Sequence, residues 1–541
     1  MSKFNTATSR PVGRTPIRTD PAASGTNFHG APGTAREAKS ELFLLAVTNM
    51  VGEDTFFESA DSRDSRYSNL VRAVAVEDSH WLTQFAYWLR TTANMRTAST
   101  VLAAEGAKAL LEAGQPGARQ LINSALQRAD EPGEFIGYWR SRYGRELPMP
   151  VKRGVADAAV RLFNERSVLK WDLTTPEIRF ATVVRLTHPT PKPYQAELFR
   201  YLIGRRLGND MEIPERLTVL RADAELRKTT PDQVKAWAKS GELADKIRDA
   251  GFPWKKVPTL AGRVEWSREL WESVIPSMGF DALLKNLRNF DQGGVSDEVA
   301  AQVAAVLSDP EKVAKSRQFP FRFYAAFKAV GSLRWSHALE KGLSASLANV
   351  PALRGRTLVL VDQSPSMFPG PYYTDRASKS DIVLAEKAAL FGSAVALRAN
   401  QADLIGFGID SYPVDFRRGD AVLSTMGKFH VESGTDIFGA IQRHYKDHDR
   451  VVIVTDEQTD NTRITADPMQ RHSYGMDVLT KPVGKLVPDH VPVFTWNLGG
   501  YKYGCNTGPN WHVLGALTDE CFKMIPLVES GKSASWPWEA E

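Results

Sequence analysis

The chain has 541 residues, 43% hydrophobic and 24% charged, with 68 Lys+Arg against 63 Asp+Glu. That length allows about two to four domains and more than one sizeable core, and no stretch approaches the ~20 apolar residues of a membrane helix. The charge is unevenly divided: residues 351–541 carry 19 Lys+Arg and 23 Asp+Glu, while the first 350 carry 49 and 40.

In chain order, residues 1–35 are rich in Gly, Pro, Ser, Thr and Ala. They hold too few large apolar residues to offset chain entropy, which predicts a disordered tail. The first twenty have no apolar central run, so no secretory signal is read there. Residues 36–352 are patterned as helix almost throughout. Trp81, Phe85, Trp88 and Leu89 fall at i, i+4, i+7 and i+8, one helical face. Leu283, Leu284, Leu287 and Phe290 repeat this, as do Phe323, Ala326, Phe327 and Val330. Core packing explains these aromatic residues better than any binding role. Medium helices joined by short Gly, Pro and Asp breaks suit stacked antiparallel pairs, an α-solenoid. The basic excess of this part suits a polyanionic partner, although solvated helix faces give the same count.

The pattern changes after "NVPALRGRT". Residues 353–541 alternate strand and helix, with continuous apolar runs at Leu358–Val361 and in "RVVIVTDE". This predicts an α/β doubly wound domain, its mostly parallel sheet covered on both faces. Ligands of such sheets bind beyond the carboxyl ends of the strands. Cys505 and Cys521 lack CxxC spacing, so neither a disulfide scaffold nor a zinc site is expected, and a reducing cytoplasm is the simplest setting.

Both strong strands end in acid, Asp362 and Asp456. The first continues into "QSPSM", adding Ser364 and Ser366, and "ESGTD" presents Thr435 before a helix. Hard divalent ions prefer oxygen ligands, and Mg²⁺ keeps several waters beside one or two carboxylates. Asp362, Ser364, Ser366, Thr435 and Asp456 supply that mixture, directly or through water. The alternative is a set of capping residues that hold no ion. No nucleophile and general base stand together beside the cluster, so no catalysis is expected. The "GKS" at Gly531–Ser533 lacks the upstream glycine of a phosphate loop, having Pro526 in its place.

The set Asp362-Gln363-Ser364-Pro365-Ser366, Thr435, Asp456 resembles the metal-ion-dependent adhesion site of von Willebrand factor A domains. The helical part resembles the TROVE domain of the Ro autoantigen family. "FAYWLRTTANMRTASTVLAAE", "VVRLTHPTP" and "VIPSMGFDALLKNLRNF" carry that resemblance, "NMRTASTV" and "MGFDALLKNLRNF" most specifically. It covers about residues 40–541 and implies HEAT-like repeats forming a ring, closed by the A domain. It further implies binding of Y RNA, a small noncoding RNA, and capture of single-stranded ends of misfolded RNA. Bacterial members are associated with an exoribonuclease.

The helix in "MPVKRGVADAAVRLFNE" resembles the family helix that contacts Y RNA and carries Lys152, Arg153 and Arg161. Phosphate is gripped by Lys and Arg on a rigid surface, aided by the positive end of a helix. "VVRLTHPTP" adds Arg185 and His188. The family often has a His-Lys pair where this chain has Phe180 and Ala181, a departure from the family's pattern on that surface. Arg96, Lys315, Arg317 and Arg322 are candidates for the ring's inner side, and a solvated helix face explains each equally well. The reading is a cytoplasmic RNA-binding scaffold in RNA quality control or maturation, with a divalent ion, Mg²⁺, as its cofactor. The rival reading is a metal-dependent protein-interaction scaffold without an RNA role.

Overall fold

A computed structural model describes residues 14–48, 55, 57–172, 178–208, 211–260, 266–318, 320–347, 352–368, 383–459, 479, 483–505, 508, 510–515, 519–530 and 533–539. The chain forms two compact units. One comprises residues 1–70, 318–328 and 342–541, the other 71–317 and 329–341. This grouping differs from a division at 35/36 and 352/353, because the early segment belongs with the sheet.

The second unit is an array of helices, the expected architecture. Helix Ser79–Thr91 begins where the Asp78 carboxylate accepts from the Trp81 amide at 3.0 Å. Its Trp81, Phe85, Trp88 and Leu89 are buried, as their spacing predicts. Helix Ala118–Ala125 packs on Met149–Leu162, which packs on Phe180–Thr187, which in turn packs on Gln195–Arg206. Arg317 follows helix Pro310–Ser316 and donates to the Thr91 carbonyl at 3.2 Å, which brings a late helix of the array back to an early one.

The first unit is built on a sheet. Its strands are β3 (Leu353–Asp362), β4 (Ala399–Phe407), β5 (Ser411–Pro413), β6 (Arg450–Thr455), β7 (Val493–Asn497) and β8 (Trp511–Leu514). Their order is β5-β4-β3-β6-β7-β8, all parallel except β5. One face buries Leu358, Leu360, Val451 and Ile453 with Ile437, Phe438 and Ile441 of helix Ile437–His444. The other carries helix Leu384–Arg398, where a Cβ at Gly392 would stand 2.2 Å from the Val361 side chain. Only glycine allows that approach, which seats the helix against β3.

The early segment packs rather than hanging free. Described residues of the expected tail form a small antiparallel sheet, β1 (Gly25–Thr26) with β2 (Pro32–Gly33), and the Thr34 amide donates to the Gly504 carbonyl at 3.0 Å. Thr15, Ile17, Asn27, Ala31 and Thr34 are buried. Composition alone misses this, because few large apolar residues can still order if a neighbouring domain satisfies their backbone. Helix Ala38–Thr48, apolar from Leu42 to Val47, is buried on nearly every side. A Cβ at Gly515 would meet Leu44 at 2.4 Å.

Candidate metal centre and nucleic-acid interface

β3 and β6 are neighbours, but the chain leaves them in opposite directions across the sheet, β3 toward β4 and β6 toward β7. Strand order therefore reverses between them, and crevices open at such points beyond the carboxyl ends. Asp362 is the last residue of β3, and Asp456 immediately follows β6. The register pairs Val361 with Val454. This sets Asp362 beside Thr455, whose hydroxyl donates to Asp362 Oδ2 at 2.5 Å. The Ser364 amide donates to Asp362 Oδ1 at 2.9 Å, and the Ser364 and Ser366 hydroxyls lie 3.2 Å apart. The Ser366 hydroxyl lies near the Asp456 carboxylate and favours its charged form. All four predicted residues of this group are buried.

Thr435 is joined to them indirectly. It follows Gly434, whose φ of 59° supplies the turn into helix Ile437–His444. Its carbonyl accepts from Thr459 Oγ1 at 3.3 Å, three residues beyond Asp456. The Gln458 amide donates to Asp456 Oδ1 at 3.1 Å, while Asp456 Oδ2 is buried without a hydrogen-bond partner among the described residues. An orphaned buried acceptor is unusual and calls for a partner. Burial raises the pKa of both carboxyls, and for Asp456 the neighbouring Asp362 charge adds to it. No group of three His, Cys, Asp or Glu side chains gathers among the described residues, so any ion here would rely on hydroxyls beside the two carboxylates. That donor set fits a hard cation.

Sequence reasoning missed the support behind the cluster. Glu457 is fully buried with φ of 67°, an uncommon conformation for a residue other than glycine. Arg36 forms a buried ion pair with it, Asn497 Nδ2 donates to it, and the Cys505 amide reaches it at 3.4 Å. Asn27 donates to the Thr459 carbonyl at 2.8 Å, and the Phe28 amide donates to Gln458 Oε1 at 3.1 Å. The acid in "TDE" is visible in the sequence, but its partner Arg36 lies 421 residues away and carries no local signal.

The candidate phosphate contacts separate into two groups. Lys152 and Arg153 stand in the first turns of helix Met149–Leu162, half-buried and exposed respectively. Arg185 is exposed near the end of helix Phe180–Thr187, and His188 caps that helix with φ of 48°. Among the described residues none of these four pairs with a carboxylate. Arg161, by contrast, donates to the carbonyls of Asn123 and Leu126 at 2.8 and 2.6 Å and to Gln127 Oε1 at 2.9 Å. It thereby caps helix Ala118–Ala125, a structural task. Arg96 is committed to Asp130, Glu131 and Glu134. Arg317 holds Thr91, Lys315 is exposed, and the exposed Arg322 lies 5.5 Å from the Phe321 ring centre. Phe180 stacks on Phe163 at 4.0 Å, and Ala181 is buried beside it. In this chain those two positions are core, which accounts for the absence of a His-Lys pair there.

Residues 251–347 match the family model of the TROVE domain. No curated protein sequence matches the chain significantly. Among solved structures, the crystal structure of the Deinococcus radiodurans RO (RSR) protein matches with a TM-score of 0.57 at 18% identity. The match covers 88% of this chain and 96% of that one. At that identity the likeness speaks for the fold.

Proposed function

We propose that this chain, a TROVE-domain protein with the fold of a Ro protein, is an RNA-binding scaffold. The observation that carries the reading is the TROVE match, most of which lies in the helical array. Lys152, Arg153 and Arg185, left without carboxylate partners in that array, supply the charge that phosphate requires. The RNA is a Y-like noncoding RNA held by its backbone and shape, together with misfolded or immature RNA captured at a loose end. The role is RNA quality control or maturation in the cytoplasm, with an exoribonuclease as partner. The reading assigns no reaction to the chain. Among the described residues no helix is long and apolar enough to cross a membrane.

The test is a comparison of ends. A hairpin RNA with a single-stranded 3′ tail should bind more tightly than the same hairpin trimmed blunt, since only a loose strand enters a narrow positive channel. Equal affinities across a range of salt would remove end capture.

The same reading gives the sheet unit a divalent ion, Mg²⁺, held by Asp362, Ser364, Ser366, Thr435 and Asp456. The ion would neutralise two buried carboxyls and present a Lewis-acidic position to a partner's carboxylate. The orphaned Asp456 Oδ2 supports this assignment. Mg²⁺ at a hundred times its dissociation constant should stabilise the fold by about 2.7 kcal/mol through mass action. Chelation should reverse this, and Asp362→Ala should abolish both effects in thermal melts. A mutant whose melting temperature still rises with Mg²⁺ would place the ion elsewhere.

A further inference from the structure

Three indoles meet near the start of the TROVE segment. Trp266 lies flat on Trp271, with ring centres 3.9 Å apart and planes 15° apart. Trp254 stands 6.1 Å from each, inclined by 56° and 47°. Trp271 is buried and meets Phe290 at 5.2 Å, whereas Trp266 is half-buried. Trp271 thus meets Phe290 edge to face on the inside and carries Trp266 stacked on it, and the next stacking position is the other face of Trp266. With Lys255, Asn289 and Gln292, the three indoles line a cavity of about 440 Å³. That lies within the ~300–1,000 Å³ typical of small-ligand sites. A Cβ at Gly293 would stand 2.4 Å from Trp271 Cδ1, so glycine is required for the chain to pass behind the stack.

The polar groups of the cavity are open. Asn289 Nδ2 donates to Asn286 Oδ1 at 2.8 Å, which leaves the side-chain Oδ1 of Asn289 without a partner among the described residues. The Gln292 amide and the three indole N–H groups likewise have none among those residues. Gln292 is exposed and Asn289 and Trp266 are half-buried, so these groups face solvent and are available to a ligand. The walls also select by charge. Among the described residues no carboxylate lines the cavity, and Lys255 Nζ stands 5.7 Å from the centre of the Trp254 ring. A cationic guest would meet a like charge. A flat group with hydrogen-bonding edges, carried on an anionic backbone, meets complementary surfaces on every side.

We propose that this cleft binds an unpaired nucleobase of single-stranded RNA. The base stacks on Trp266, its edge meets the Asn289 and Gln292 amides, and Lys255 faces the adjoining phosphate. The proposal rests on the RNA-binding reading above and adds to it a site for individual bases, separate from the phosphate contacts of Lys152 and Arg153.

The experiment uses the full chain with two probes, a fluorescein-labelled unstructured oligoadenylate and a blunt RNA hairpin. Trp266→Ala should weaken oligoadenylate binding about 5- to 150-fold, the range for loss of one base–aromatic stack. Trp266→Phe should restore most of it. Gln292→Ala, at an exposed side chain, should weaken binding about 2- to 12-fold, the range for one hydrogen bond. Hairpin affinity should stay unchanged in all three variants, and oligoadenylate should quench the intrinsic tryptophan fluorescence of the unmutated chain. Wild-type oligoadenylate affinity in both alanine variants, with hairpin binding intact, overturns the base site and leaves the RNA reading standing. If the unmutated chain binds neither probe, the RNA reading fails as well. If Trp266→Ala unfolds the chain, Gln292→Ala and the quenching decide, and absence of both effects overturns the proposal. Saturable quenching by tetramethylammonium without quenching by oligoadenylate would make the cleft a cation cage and overturn it too.

Discussion

Affinity for structured RNA should fall by roughly three decades between 50 and 200 mM salt if about six phosphates are neutralised, because each contact releases condensed counterions. Lys152→Ala combined with Arg153→Ala should lower the affinity and flatten the log–log salt slope by about one to two. The structure sharpens the choice of residues. Both side chains lie in the first turns of helix Met149–Leu162 without a carboxylate partner among the described residues, so their charge is available to phosphate. Arg161 on the same helix is occupied in capping Ala118–Ala125. Its replacement should act on stability before affinity. A double mutant with the slope and affinity of the unmutated chain would remove this helix from the RNA surface.

Replacing Arg36 by methionine should destabilise the sheet unit by about 3–5 kcal/mol, the cost of leaving one member of a buried ion pair alone. Both side chains of the Arg36–Glu457 pair are fully buried, so water cannot replace the lost partner. Glu457 sits directly after Asp456, in a conformation that needs holding. Adding Glu457→Gln should recover part of the loss, since a neutral amide is cheaper to bury than an unpaired carboxylate. Denaturant unfolding of the single and double mutants measures both effects. A single mutant within about 1 kcal/mol of the unmutated chain would show that the pair contributes no more than an exposed one.

These two cases show what the sequence can and cannot disclose. Asp362 and Asp456 are legible because each ends a run of buried β-branched residues, and adjacent parallel strands deliver their ends to one edge. Ser364 and Ser366 follow within four residues of the first, so local pattern suffices. Helix Ser79–Thr91 is legible because Trp81, Phe85, Trp88 and Leu89 share one face. β5 and β8 are short, three and four residues, and carry too little alternation to stand out. The early segment escapes for a different reason. Asn27, Thr34 and Arg36 are ordered by Thr459, Gly504 and Glu457, partners more than 400 residues distant. The division of basic residues into phosphate candidates and helix caps is likewise hidden. Arg161 and Lys152 look alike on one helix until the carbonyls of a neighbouring helix are placed beside the former.

RNA binding itself is tested most directly by crosslinking the chain to RNA in its own cells, sequencing what is recovered, and mapping the crosslinked peptides. The account predicts enrichment of small structured noncoding RNAs, with crosslinks on the helical array, including the peptides around Lys152–Arg153 and Trp254–Trp266. Recovery of RNA no greater than from a control protein of similar charge, with no crosslinked peptide in residues 71–341, would contradict it.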